Sequence, residues 1–186
     1  MRKIKSFNFI TLNGYFKGSN EDISWHVHGE EGNSFSEDQL QAQNVLLFGR
    51  RTFEMMRDFW TSPLAYDQYP VVAEKMNSSE KIVITNSLEQ SDWQNTLIFK
   101  GNLIEILKNY KSTPGSDITI LGSGSIVSQL TEAGLIDTYQ FLIDPLVISD
   151  GIGLFDQLKK QMDLHLVDCK IFKKSGQVLL TYHRPE

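Results

Sequence analysis

The stretch with the plainest chemistry is a glycine turn set directly behind an apolar run. Ile118-Thr119-Ile120-Leu121 reads as a buried strand and Gly122-Ser123-Gly124-Ser125 as a turn, and Ile126, Val127, Leu130 and Ala133 recur at helical spacing. Gly122 and Gly124 permit positive φ and close backbone approach, and Gly134 suits a helix C-cap. Such a turn offers unpaired N–H groups and the positive end of a helix dipole, where phosphates bind. The dinucleotide fingerprint has a third glycine three residues after the second, where this chain has Val127. The turn therefore reads either as a cradle for a nucleotide diphosphate or as a plain strand-to-helix connection.

Two other apolar runs end in residues of matching chemistry. Val45-Leu46-Leu47-Phe48 leads into Gly49-Arg50-Arg51-Thr52, and Lys81-Ile82-Val83-Ile84 into Thr85-Asn86-Ser87. Ligands of open α/β sheets bind beyond the carboxyl ends of the strands. Only five arginines occur in the chain, and two of them sit side by side at this helix start. Cations there oppose the helix dipole by about 0.3–1 kcal/mol, which a bound phosphate would offset; the alternative is a pair of surface ion pairs. Thr85, Asn86 and Ser87 offer hydroxyl and amide groups suited to a ribose or its 2′-phosphate.

A site that moves protons also needs a titratable group. The segment after Gly14 holds Asp22, His26, His28, Glu30 and Glu31, none singled out by spacing. His26 and His28 lack an evident third metal ligand, so solvated loop histidines are the expected state and no metal site is assigned. Trp25 and Trp60 suit either stacking on a planar substrate or core packing. Phe7 and Phe9 are expected to face the core.

Residues 3–12 read as a first strand ended by Asn13-Gly14, and 17–35 as one long loop. Ser36 with Gln39 forms a capping box for a short helix to about Gln43. Phe53, Met56 and Phe59 share a helix face, and Pro70 opens another helix. Thr96 to Phe99 is a short strand, and Asn102 with Glu105 caps a helix striped by Leu103, Ile106, Leu107 and Tyr110. Beyond Gly134, a strand at Ile136–Ile143, a glycine loop at 149–153 and a hairpin joining Leu164–Phe172 to Gln177–His183 read as antiparallel. The expectation is one domain over residues 1–186: a mostly parallel sheet between helices, with antiparallel C-terminal strands.

Composition narrows the function. The net charge of −5 argues against general affinity for nucleic acid or anionic membranes. Cys169 stands alone, which excludes an intrachain disulfide and a multi-cysteine zinc site and suits a reducing cytoplasm. No apolar run approaches membrane-spanning length.

Leu12-Asn13-Gly14, Leu47-Phe48-Gly49-Arg50-Arg51-Thr52-Phe53-Glu54, Thr119-Ile120-Leu121-Gly122-Ser123-Gly124-Ser125 and Ala133-Gly134-Leu135-Ile136-Asp137 occur in that order. In this combination the chain resembles the dihydrofolate reductase-like family, specifically the C-terminal reductase domain of the riboflavin-biosynthesis deaminase/reductase in its stand-alone form. The resemblance implies a three-layer α/β/α fold, a homodimer, NADPH as cofactor, and reduction of 5-amino-6-(5-phosphoribosylamino)uracil. A nucleotide-binding or sensory protein without turnover is the alternative. The resemblance further implies that Gly49, Arg50, Arg51 and Thr52 grip cofactor phosphate, and that Thr85, Asn86 and Ser87 lie by the adenosine ribose. Gly122, Ser123, Gly124, Ser125 and Ile126 would wrap the diphosphate and nicotinamide ribose. Leu12, Asn13 and Gly14 would border the nicotinamide and substrate. Read from the residues themselves, Trp25 and Trp60 are the candidates for the substrate side, and Asn13 and Asp22 are the catalytic candidates. Asn13 stands where many relatives carry aspartate, and Ser123 where many carry glycine. No counterpart is evident for the carboxylate that binds pterin in dihydrofolate reductases, which argues against folate.

Overall fold

A computed structural model describes residues 1–185. Its strands are β1 (Ile4–Thr11), β2 (Tyr15–Gly18), β3 (Val45–Gly49), β4 (Lys81–Ile84), β5 (Thr96–Phe99), β6 (Ile118–Leu121), β7 (Thr138–Asp144), β8 (Gly151–Gly153), β9 (His165–Phe172) and β10 (Gln177–His183). Its helices are α1 (Glu30–Gln41), α2 (Arg50–Trp60), α3 (Pro63–Gln68), α4 (Pro70–Ser78), α5 (Leu103–Ser112) and α6 (Gly124–Glu132).

Eight strands make one sheet in the order β5-β4-β3-β6-β1-β7-β10-β9. The first six are mutually parallel, and β10 and β9 run antiparallel at one edge. The strand after Gly134 departs from expectation: β7 pairs in parallel with β1, from Lys5 opposite Thr138 to Thr11 opposite Asp144. The reason is the path of α6, which carries the chain from β6 across one face so that it re-enters beyond β1. In the large sheet the antiparallel pairings are those of β10 with β7 and with β9.

Both faces of the sheet are covered, as the unbroken apolar run of β3 requires. Val45 and Leu47 pack with Ile118, Ile120, Leu107, Val127 and Leu130 beneath α5 and α6. Leu46 and Phe48 pack on the opposite face with Phe53, Val72, Met76 and Trp93 under α2 and α4. Helix α6 ends in a Schellman turn. Gly134, at φ +63°, donates to the Thr131 carbonyl, and Leu135 donates to that of Leu130.

The segment read as one long loop folds twice. Tyr15–Gly18 forms β2, which pairs antiparallel with β8, so the second glycine loop is also part of a strand. Helix α1 starts at Glu30, six residues before the capping box. Within that helix Ser36 Oγ donates to the Gly32 carbonyl (3.0 Å) and caps nothing. Tertiary contacts set the true start. Lys174 at the β9–β10 turn meets Glu30, its own N–H donates to Glu31 (2.8 Å), and Phe35 buries against Phe172, Leu142 and Leu179. Helix α3 is a further addition, capped by Ser62, which accepts from Ala65 N–H.

Candidate functional site

The three polar strand ends converge because β4, β3 and β6 are neighbours in the sheet. The turn after β6 touches the turn after β3. A Cβ on Gly122 would lie 3.4 Å from Thr52 Cγ2, and one on Gly49 would lie 3.5 Å from Ile126 Cδ1. Ser123 explains its own departure from glycine. It holds a left-handed conformation (φ 57°), and its hydroxyl accepts the Gly49 N–H at 2.9 Å, tying β3 to the turn. Helices α2 and α6 therefore begin side by side, and neither has a side-chain cap. Among the described residues the N–H groups of Arg50, Arg51, Gly124 and Ser125 have no acceptor. Two positive helix ends with free donors at one place suit a diphosphate.

The arginines are held by carboxylates. Arg50 pairs with Glu54 at 2.9 Å and Arg51 with Glu21 at 2.8 Å, and Glu21 also meets Lys17 at 3.5 Å. These exposed pairs contribute about 0–1 kcal/mol each, so an incoming phosphate exchanges with them at little cost. In the third turn Thr85 is buried, and its Oγ1 accepts from the N–H groups of Ser87 (3.2 Å) and Leu88 (3.3 Å). Asn86 Oδ1 accepts from Gly101 N–H at 3.1 Å, while Asn86 and Ser87 remain exposed.

Beside the glycine turn opens a cavity of about 520 Å³ between the sheet and helices α1, α2 and α4. Phe7, Phe9, Phe35, Phe59, Trp60 and Tyr69 supply its aromatic walls, and Thr52, Gly122 and Ser123 its mouth toward the turns. Phe7 and Phe9 thus serve both as core and as cavity wall. Trp60 lines the cavity, as its stacking role requires.

Other sequence candidates stand elsewhere. Leu12, Asn13 and Gly14 form the β1–β2 turn and are not cavity walls. Leu12 N–H donates to Leu146, and Asn13 bonds Thr11 Oγ1 (2.8 Å) and the Ile148 carbonyl (2.9 Å). The walls come from the next residues, Phe16 and Lys17, because the chain doubles back at Gly14 (φ 89°). Asp22 is exposed and accepts from both N–H and Oγ of Ser24, which hold its pKa below the usual carboxylate value. Trp25 packs edge-on to His26 with its indole N–H buried and unpartnered, outside the cavity.

Of the two histidines, His28 is exposed as expected, whereas His26 is not a solvated loop residue. His26 is buried, stacked on Phe9 with ring centroids 3.6 Å apart, and its Nδ1 lies 2.9 Å from Asp144 Oδ2. Gln177 Nε2 donates to Asp144 Oδ1 at 2.8 Å, so the carboxylate is held from two sides. His28 lies edge-on to His26, with centroids 4.6 Å apart, and lines the cavity. It is exposed overall, with part of its ring desolvated against Phe9, His26 and Tyr69. That desolvation, with the adjacent His26, lowers its pKa to about 4, so it is neutral at pH 7.

Sequence reasoning missed Asp144, Gln177 and Asn8. Asp144 reads only as a strand end before Pro145, since its partners come from distant segments. Asn8 is buried beside the glycine turn with both amide ends, Oδ1 and Nδ2, unpartnered. Its one sequence signal is an amide between two phenylalanines in a strand.

The order and direction of the strands place the fold among the dihydrofolate reductase-like α/β proteins. It superimposes on dihydrofolate reductase from Enterococcus faecalis, solved with NADP(H), with a TM-score of 0.63 at 19% identity, covering 99% of this chain and 97% of that one. Residues 2–180 match the RibD C-terminal domain, and the chain belongs to that family. A Thermotoga maritima diaminohydroxyphosphoribosylaminopyrimidine deaminase/5-amino-6-(5-phosphoribosylamino)uracil reductase superimposes with a TM-score of 0.70 at 12% identity, over 99% of this chain and 57% of that one. The uncharacterized protein YyaP of Bacillus subtilis is 27% identical over 178 residues, 94% of this chain and 90% of that protein. Among the described residues no helix is long and apolar enough to cross a membrane.

Proposed function

We propose that the chain is an NADPH-dependent reductase acting on a small planar substrate, with the pyrimidine named for the Thermotoga enzyme as the first to test. The observation that carries this reading is the meeting of two uncapped helix N-termini, α2 and α6, at the mouth of an aromatic cavity. The residues fit the cofactor. The free N–H groups of Gly124 and Ser125 would hold a diphosphate, with Arg50, Arg51 and Thr52 as partners. Asn86 and Ser87 lie outward for the adenosine end. The orphaned amide of Asn8 matches a carboxamide, donor to acceptor and acceptor to donor.

The cofactor supplies the hydride when bound. The chain orients the acceptor between aromatic walls and limits water around it. His28, neutral and on the cavity wall, donates a hydrogen bond to a developing negative charge, and His26 backed by Asp144 fixes its environment. A homodimer belongs to the same reading, supported by β9, an edge strand that exposes Leu166, Val167 and Ile171.

The test is NADPH oxidation with a panel of pyrimidine-riboside, pterin and quinone acceptors. Turnover above background with one class supports the reading. One observation favours a second reading, nucleotide binding without turnover: among the described residues no aspartate or glutamate lines the cavity. NADPH binding with no oxidation for any acceptor would decide for it.

A further inference from the structure

The chemistry of the cavity is one-sided in charge. Its titratable walls are Lys5, Lys17, His28 and Tyr69, and no carboxylate is among them, although the chain as a whole carries −5. Lys17 is paired with Glu21 at 3.5 Å, a carboxylate it shares with Arg51. Lys5 is not: among the described residues no carboxylate comes within 4 Å of its Nζ, and its one acceptor is Gln39 Oε1. An ammonium carries three donors, so two remain for a ligand. A cation left in an apolar cavity is costly unless something pairs it. Burial holds the Lys5 pKa below its ordinary value, with Asp117 the one opposing charge.

Register fixes where this charge lies. Lys5 stands opposite Thr119 on β6, and Leu121 and Gly122 follow along the same strand toward the glycine turn. At about 3.3 Å per residue, three residues separate Lys5 from Gly122 by about 10 Å. Phe7, one pleat nearer the turn and on the same face, lies between them.

We propose that the cavity takes a planar, largely apolar organic anion, its charged group held by Lys5 and its ring placed beside Phe7 toward Gly122. This names the substrate class of the site described above and rests on that reading, but the recognition is testable without it. A carboxylate or sulfonate on a flat body fits. An uncharged ring leaves Lys5 unpaired.

The probe pair is 1-anilinonaphthalene-8-sulfonate and its uncharged counterpart N-phenyl-1-naphthylamine, titrated by fluorescence against the full chain. Wild type should bind the sulfonate about 10- to 100-fold tighter than the neutral probe, the range for one charged hydrogen-bonded contact. Lys5→Met should abolish that preference while leaving the neutral probe within about threefold, Lys5→Arg should keep most of it, and Lys108→Met, at an exposed lysine outside the cavity, should leave it unchanged. Equal affinity of wild type for both probes overturns the proposal and needs no variant that must fold. Loss of preference in Lys17→Met but not in Lys5→Met overturns it as well. NADPH titrated into the same samples separates the two readings: failure of NADPH to bind wild type counts against the reductase and leaves the probe result standing.

Discussion

The rim of the sheet and the cavity beneath it are built on opposite plans. At the rim, binding groups are backbone N–H donors at two helix starts, with arginines in exposed, exchangeable pairs. In the cavity, side chains from five or more separate segments face one another and the backbone is spent on sheet and helix. A rim of that kind suits a ligand part common to many reactions, such as a diphosphate. A side-chain cavity suits the part that distinguishes one reaction from another. The two regions should therefore respond differently to substitution.

The largest effect is expected behind the cavity. Asp144→Ala leaves His26 and Gln177 without their buried partner and should cost about 3–5 kcal/mol of stability, read as the denaturation midpoint. Asp144→Asn, which keeps one acceptor, should cost less. If Asp144→Ala shifts the midpoint no more than a surface substitution, the buried cluster is not structural support for the cavity.

At the rim the order reverses. Arg50→Ala with Arg51→Ala should weaken NADPH binding by about 100-fold, since two charged contacts are lost, yet change stability by less than about 1 kcal/mol. A large loss of stability with unchanged NADPH binding would make those arginines structural and erase the contrast.

A pH series sharpens the cavity side. His28 has its pKa lowered to about 4 in the folded chain against an ordinary value of 6.5. Between those values the unfolded chain binds more protons, so stability rises with pH there and is lost as pH falls from 6.5 through 4. His28→Gln should flatten that part of a thermal-midpoint profile measured from pH 7 to pH 4. An unchanged profile would show that His28 is solvated.

The smallest effect is expected at Ser123. Ser123→Gly relieves a left-handed non-glycine residue but removes the acceptor of the Gly49 N–H, each worth about 1 kcal/mol, so stability should stay within about 1 kcal/mol. A loss much beyond that would mean the hydroxyl also orders the cradle.

The same contrast explains what could be read in advance. The strands at 45–49, 81–84, 96–99 and 118–121 were legible because local apolar runs and turn residues specify them. The convergence of Gly49, Thr85 and Gly122 was legible through the rule of strand ends. The cavity was not, because His26, Asp144 and Gln177 are joined only by tertiary pairing, and nothing in their spacing marks it. Helix α1 was misplaced because its start is set by Lys174 and Phe172, over 130 residues away, while Ser36 and Gln39 mimic a cap. Asn13 was drawn in by its motif and Asp22 by its place in the segment after Gly14. Their side chains brace the turns that carry them.

In the proposed complex a dinucleotide diphosphate would lie where α2 and α6 begin. Amide ¹H–¹⁵N shifts measured during an NADPH titration test that most directly. The largest changes should fall on Gly122 to Ile126 and Arg50 to Thr52, saturating together, with the β9–β10 turn unmoved. Saturable binding whose shifts avoid both helix starts, or no saturable change at all, would contradict it.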